Sequence, residues 1–214
     1  MNVEEKFESD GFVVIKDILS ENELHLLSDR CDSEIKAQIG TRNLLDFAWV
    51  RGLARTLKLS ESLKPLMPTN PVAVQCNYFA KDSENNWSVT PHRDLSIPVK
   101  KQIKSEGWSG WSVKEGVLYA QPPKQVLAQM MGVRIHLEAN DSQNGALELV
   151  AGSHKNFIQR GERSLGIVPK GGALVMRPLV LHASTKLKSG KRRVLHFVFG
   201  PRKLPDDMEW AIAI

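Results

Sequence analysis

His92 and Asp94, in the stretch Thr90-Pro91-His92-Arg93-Asp94-Leu95, are two metal-capable side chains set two residues apart. In an extended strand that spacing turns both to one face. An imidazole and a carboxylate on one face can share a metal ion. A second histidine brought from elsewhere would complete two imidazoles and one carboxylate on one triangular face of the ion. The remaining positions then stay open, an arrangement that suits non-haem Fe(II). The competing reading is a pair of solvated polar residues, and so short a triplet does not decide between the two.

The chain has six histidines. His25 lies beside Leu24 and Leu26 in a helical pattern and reads as structural or exposed. His154 follows a strand in Gly152-Ser153-His154-Lys155, and His136 and His196 lie inside strand-like runs. His182 follows Leu179-Val180-Leu181 at the end of an apolar run where a turn begins. That place suits either a residue at a pocket mouth or a core histidine bonded to backbone. His182 lies 90 residues beyond His92, so the chain must fold back on itself to bring them together.

The elements that must do this positioning divide the chain in two. Ser9-Asp10-Gly11 predicts a turn before a strand at Phe12 to Ile15. Ser20 and Glu23 form a capping box for a helix running through Leu24, Leu27 and Cys31 towards Ile35. Further helices are expected at Ala48 to Leu59, interrupted by Gly52, and at Glu61 to Leu66, with Pro68 and Pro71 closing this half. From Val72 onward, short strand-like runs alternate with Gly, Asn, Asp and Pro: Val72 to Phe79, Leu95 to Val99, Ala128 to Leu137, Ala146 to Val150, Gly172 to Met176, Val180 to His182 and Val194 to Phe199. Residues 100–125 read as a long polar lid or substrate loop, with Trp108 and Trp111 in it and Trp87 on the other side of His92 and Asp94, ordinary packing being the competing role for each tryptophan. Many short strands imply a sandwich or barrel. The expected architecture is one domain over residues 1–214, mainly β with supporting helices. Its helical layer falls mostly in residues 1–70 and its β core mostly in 72–200.

Composition bounds the function class. The chain has 214 residues, 25% of them charged, a formal net charge of +5, and two cysteines, Cys31 and Cys76. No apolar run reaches the roughly 20 residues of a membrane span, and the acidic start does not read as a secretion signal. No zinc knuckle or disulfide framework is suggested. No basic block with interleaved aromatics marks a nucleic-acid groove. The expectation is a cytoplasmic protein, monomer or homodimer, acting on a small molecule, with neither nucleic acid nor membrane as partner.

Several segments together resemble the phytanoyl-CoA dioxygenase family. They are Phe79-Ala80-Lys81 with Asn86-Trp87 and His92-Arg93-Asp94-Leu95; Arg134-Ile135-His136-Leu137-Glu138 with Asn144-Gly145-Ala146-Leu147 and Gly152-Ser153-His154; and Arg177-Pro178-Leu179-Val180-Leu181-His182-Ala183-Ser184 with Arg192-Arg193-Val194-Leu195-His196. They occur in the family's order and cover nearly the whole chain. The resemblance implies a double-stranded β-helix (jelly roll, cupin-like) and a dioxygenase dependent on Fe(II), 2-oxoglutarate and O2, with His92, Asp94 and His182 as iron ligands. Related halogenases carry a small residue in place of the carboxylate, so Asp94 favours hydroxylation. Two alternatives keep the fold: a catalytically silent barrel binding a metal or a small acid, and a cupin-type metal enzyme that does not use 2-oxoglutarate.

The far carboxylate of 2-oxoglutarate needs a cation, and a guanidinium fork fits it with two parallel bonds. The family places an arginine one strand beyond the distal histidine and a hydroxyl two residues after that histidine. Ser184 fills the hydroxyl position. Arg192 and Arg193 both qualify as the arginine. Arg193, Leu195, Phe197 and Phe199 share a face suited to packing on helices, whereas Arg192, Val194, His196 and Val198 share a mixed face suited to a pocket, which favours Arg192. The loop from His182 to Arg192 is one residue shorter than the family pattern. Asn77 stands where the family places a cosubstrate contact. Arg134 and His136 share a face that points either to the pocket or to the core.

Overall fold

The computed structural model describes residues 1–35, 40–156 and 161–214. Helix α1 (Val3–Asp10) precedes strand β1 (Phe12–Ile15), and α2 (Glu21–Glu34) and α3 (Ala48–Leu59) follow. The β region contains β2 (Pro71–Lys81), β3 (Val89–His92), β4 (Ile97–Pro98), β5 (Ser109–Lys114) and β6 (Val117–Gln121). After α4 (Lys124–Ala128) come β7 (Met131–His136), β8 (Leu147–Leu149), α5 (Ser153–Asn156), β9 (Ser164–Leu165), β10 (Ala173–Met176), β11 (His182–Ser184) and β12 (Arg192–Pro201).

A five-stranded sheet runs β1-β10-β7-β12-β2, a four-stranded sheet β3-β11-β8-β9, and a three-stranded sheet β4-β6-β5. Every ladder is antiparallel. Phe12, Leu174 and Met176 from the large sheet pack against Leu147 and Leu149 from the four-stranded one. The two sheets thus face each other as a jelly roll, the double-stranded β-helix.

The large sheet is two-faced because its strands alternate. Cys76, Tyr78, Val133, Ile135, Leu195 and Phe197 form one buried cluster with Leu24, Leu27 and Cys31 of α2 and Val50, Ala54 and Leu57 of α3. Residues of the opposite parity, among them Asn77, Phe79, Lys81, Arg134, Arg192 and His196, line a cavity between the sheets. The helices therefore hold the sheet rigid from outside and leave its inner face free for chemistry.

Local sequence explains most of the elements. Helix α2 starts at the Ser20–Glu23 capping box, with the Ser20 amide donating to Glu23 at 2.8 Å. Gly52 is tolerated in α3 because a side chain there would meet open space. Helix α1 was not expected. The same device, Asn2 with Glu5, caps its start, and Gly11 at φ +83° ends it. The helix expected at 61–66 shortens to a 3-10 turn at Lys64–Leu66, because Pro65 cannot donate into a longer helix.

Residues 100–125 are not one long loop. β5 and β6 form a hairpin turning at Glu115 and Gly116, whose φ values are +49° and +80°. Two left-handed central residues match the twist of paired strands. Of the strand expected at 95–99 only Ile97–Pro98 remains. Helix α4 takes the start of the strand expected at 128–137. The run Leu179-Val180-Leu181 precedes β11, so His182 begins a strand and does not end one. Among the described residues no helix is long and apolar enough to cross a membrane.

Candidate metal centre and cosubstrate pocket

His92 is the last residue of β3 and His182 the first of β11, and the two are direct partners in that antiparallel ladder. This pairing closes the 90-residue separation in the sequence. Asp94 lies past the end of β3, not on the strand as its spacing suggested. Its amide donates to the Pro178 carbonyl at 2.9 Å, which fixes the turn-out. The carboxylate oxygens then lie 3.6 Å from His92 Nε2 and 3.9 Å from His182 Nε2. One ligand atom from each of the three residues falls within 4.8 Å of the other two.

Both imidazoles are oriented from behind. His92 Nδ1 lies 2.9 Å from the Thr90 carbonyl and His182 Nδ1 lies 2.9 Å from the Val180 carbonyl. A carbonyl can only accept, so each Nδ1 carries a proton and each Nε2 is the ring nitrogen left facing Asp94, free to bind a metal once it is deprotonated. Backbone support of this kind fixes the tautomer of metal-binding histidines. Burial lowers the His182 pKa against the pull of Asp94. The carboxylate of Asp94 beside it raises that of His92 against the effect of burial. Burial works against charge on Asp94, but His182 and then His92 outweigh it and hold the carboxyl well below the usual range. The set is one anionic oxygen donor and two neutral nitrogen donors, which fits a divalent first-row metal.

These three residues line a cavity of about 370 Å3 between the sheets. At its far end Arg192 and Lys81 are partners across the β12–β2 ladder. Both are buried. Lys81 Nζ donates to Ser184 Oγ at 3.1 Å and to the Thr185 carbonyl at 2.9 Å, and lies 4.9 Å from the centre of the Trp87 ring. Arg192 Nη1 donates to the Gly145 carbonyl, and its Nε is buried without a partner. Burial, and then Arg192 and Arg134, bring the Lys81 pKa down to about 7. Burial and then Arg134 bring Arg192 to about 9. A buried cation pair with no carboxylate paired to it among the described residues is an incomplete site, and the far end of a dicarboxylate would complete it.

Arg193 points the other way. Its guanidinium bonds Glu138 at 2.8 Å, Asp32 at 2.6 Å and Ser28 at 2.7 Å, so it ties the sheet to α2. Asn77 lines the cavity with its Oδ1 buried and unpartnered. Arg134 also lines it. Its Nη1 donates to His196 Nδ1 at 2.8 Å, while its Nε is unpartnered. His136 is buried on the same face of β7, with both ring nitrogens unpartnered, but is not part of the cavity wall. Trp108 belongs to the core behind the hairpin, where its indole donates to Asp206 at 2.9 Å.

The sequence reading did not single out Lys81 as a site residue, although its parity with Asn77 on β2 was the available signal. Arg42, Lys114 and Tyr119, which also line the cavity, gave none, because the hairpin carrying two of them was not foreseen.

A sequence model of the phytanoyl-CoA dioxygenase (PhyH) family matches residues 7–195. The chain belongs to the phytanoyl-CoA dioxygenase family. A curated relative, phytanoyl-CoA dioxygenase domain-containing protein 1 of Danio rerio, is 31% identical over 103 residues, covering 48% of this chain and 27% of the relative. The fold recurs in the epimerase SnoN in complex with Fe3+, alpha ketoglutarate and nogalamycin RO, at TM-score 0.69 and 13% identity over 96% of this chain and 90% of that one. It recurs in the alpha ketoglutarate dependent carbocyclase SnoK at TM-score 0.67 and 14% identity, covering 92% and 82%. It also recurs in iron-bound HygX from Streptomyces hygroscopicus at TM-score 0.62 and 18% identity, covering 94% and 87%. At these identities the likeness of this PhyH-family chain to them is one of fold.

Proposed function

We propose that this protein is an Fe(II)- and 2-oxoglutarate-dependent dioxygenase that oxidises a C–H bond of a small organic substrate, most simply by hydroxylation, with release of succinate and CO2. One observation carries the reading. Two histidines oriented by backbone carbonyls and one carboxylate present their ligand atoms within 4.8 Å of one another, in a cavity that also holds two buried basic side chains, Lys81 and Arg192, without a carboxylate partner among the described residues. Iron bound with 2-oxoglutarate and O2 would supply the oxidising power.

The chain's own residues supply everything else. His92, Asp94 and His182 would hold the metal, and the Thr90 and Val180 carbonyls keep both imidazoles in the ligating tautomer. Arg192 and Lys81 would grip the distal carboxylate, with Ser184, now the acceptor of a Lys81 bond, as a third donor once Lys81 turns to the anion. Asn77 and Arg134 have unpartnered polar atoms available to the cosubstrate or the substrate. Phe79, Val89, Leu147 and Met176 form apolar wall that excludes water. The match to the family over residues 7–195 supports one catalytic unit.

Substrate-independent turnover tests the reading. Metal-loaded protein supplied with 2-oxoglutarate and O2 is expected to form succinate slowly without a second substrate. A barrel that only binds a metal or a small acid would form none.

A further inference from the structure

The charges around the cavity do not balance. Arg42, Lys81, Arg93, Lys114, Arg134 and Arg192 line it, with Asp94 as the lining carboxylate. Arg42 is neutralised by Glu115 at 2.8 Å, and Arg93 donates to the Leu179 and Ser153 carbonyls at 2.9 and 3.2 Å. A divalent metal and a dianionic cosubstrate cancel one another. Arg192 and Lys81 sit at the proposed cosubstrate end, and Arg134 donates to His196 at 2.8 Å beside the metal centre, where the Asp94 carboxylate lies. Lys114 remains on the opposite wall, on the β5–β6 hairpin, with its Nζ 4.9 Å from the centre of the Tyr119 ring. Tyr119 is 2% exposed, and its hydroxyl is buried without a hydrogen-bond partner. Arg42 is clamped to the same hairpin through Glu115, which accepts from both its guanidinium and its backbone amide. The wall beside this cluster is apolar, formed by Leu95, Ile97, Leu127, Met130 and Val198.

We infer that the hairpin forms an anion subsite, with Lys114 and the Tyr119 hydroxyl as its donors, and that the substrate is a small amphiphile whose carboxylate or phosphate docks there. This deepens the enzymatic reading above and rests on it. The apolar body lies along Leu127, Met130 and Val198, between the head group and the metal centre. A cavity lined by one sign of charge draws in anions and orients them. Its volume of about 370 Å3 lies at the small end of ligand pockets, so the enclosed part of the substrate is small.

The test uses anaerobic protein loaded with Fe(II) and saturating 2-oxoglutarate. Hexanoate, hexyl phosphate and hexanamide are titrated calorimetrically. Hexanoate or hexyl phosphate should bind on the order of tenfold or more tighter than hexanamide, as a charge-assisted hydrogen bond requires. Which of the two binds better names the head group. Lys114→Met and Tyr119→Phe should each remove most of that preference without weakening hexanamide, and Lys114→Arg should restore it. Equal binding of hexanoate, hexyl phosphate and hexanamide overturns the subsite. So does an anion preference that survives both Lys114→Met and Tyr119→Phe. The same titrations without metal or cosubstrate separate the two claims. Anion preference lost in Lys114→Met, in a protein that shows no 2-oxoglutarate signal, upholds the subsite and overturns the enzymatic reading.

Discussion

Arg192 and Arg193 are neighbours in sequence, and the structure gives them opposite duties, so substituting each with methionine should give opposite phenotypes. Arg192 is buried at the end of the cavity proposed for the cosubstrate, its guanidinium bonded to a backbone carbonyl among the described residues. Its pKa is lowered to about 9, first by burial and then by Arg134. A folded-state value below the unfolded one means the cation costs stability at neutral pH. That penalty is full below about 9 and eases as pH rises above it towards the ordinary arginine value. Removing the charge should therefore leave the fold as stable or raise its stability by about 1–3 kcal/mol. On the proposed role, the same change would remove a charge-assisted bond to the distal carboxylate, worth about 1.5–3 kcal/mol, or on the order of 10- to 150-fold in 2-oxoglutarate affinity. Arg193→Met should do the reverse. It breaks the pair with Glu138, whose side chain is only 19% exposed, and the pair with Asp32, which is 62% exposed. Weighting a partly buried pair and an exposed one gives a loss of about 2–3 kcal/mol. For a chain of this size that lowers the melting temperature by roughly 4–12 °C, with 2-oxoglutarate affinity unchanged. Anaerobic calorimetric titration and thermal melts on both variants check this. If folded Arg193→Met loses cosubstrate affinity while Arg192→Met binds normally, the assignment of the two faces is wrong.

Two further perturbations read other parts of the site. Lys81 titrates near neutrality, its pKa lowered from 10.5 to about 7 by burial and then by Arg192 and Arg134, so its ammonium is lost as pH rises through that value. The affinity for 2-oxoglutarate should weaken between pH 6.5 and 8.5 by up to about tenfold per unit. Lys81→Met should bind more weakly at low pH and lose this slope, whereas an identical slope in both proteins would remove Lys81 from the anchor. A Cβ at Gly11, where φ is +83°, would lie 2.4 Å from His154 Nδ1 and 2.6 Å from Val180 Cγ2. Gly11→Ala should cost about 2–4 kcal/mol in a denaturant melt and weaken metal binding as well, because the Val180 carbonyl orients His182. A melt unchanged from the parent protein would contradict that packing.

Much of this arrangement could be read from local pattern. The Ser20–Glu23 box and the apolar stripe of α2 are short-range signals, and the helix follows them. Alternation along β12 separated Arg192 from Arg193 because a sheet buried on both faces still sorts its residues by parity. The same parity rule, applied to β2, would have put Lys81 beside Asn77. Other features were not legible because they depend on distant partners. Asp94 reaches the histidines by leaving its strand, held by the Pro178 carbonyl. The lid became a hairpin because Glu115 and Gly116 both accept left-handed backbone, and its turn is anchored on Arg42 and Asn43 from 72–73 residues away. The pairing of His92 with His182 is a matter of register in a fold-back, which no local window contains.

The central claim is that His92, Asp94 and His182 bind Fe(II) beside an anchored 2-oxoglutarate. Anaerobic addition of Fe(II) and 2-oxoglutarate tests it most directly, with the visible spectrum as readout. The parent protein should develop a weak charge-transfer band that saturates with 2-oxoglutarate, and Asp94→Ala should bind the metal more weakly and show an altered or absent band. Folded, metal-loaded parent protein that develops no band, or an Asp94→Ala protein that titrates identically to the parent, would contradict the account.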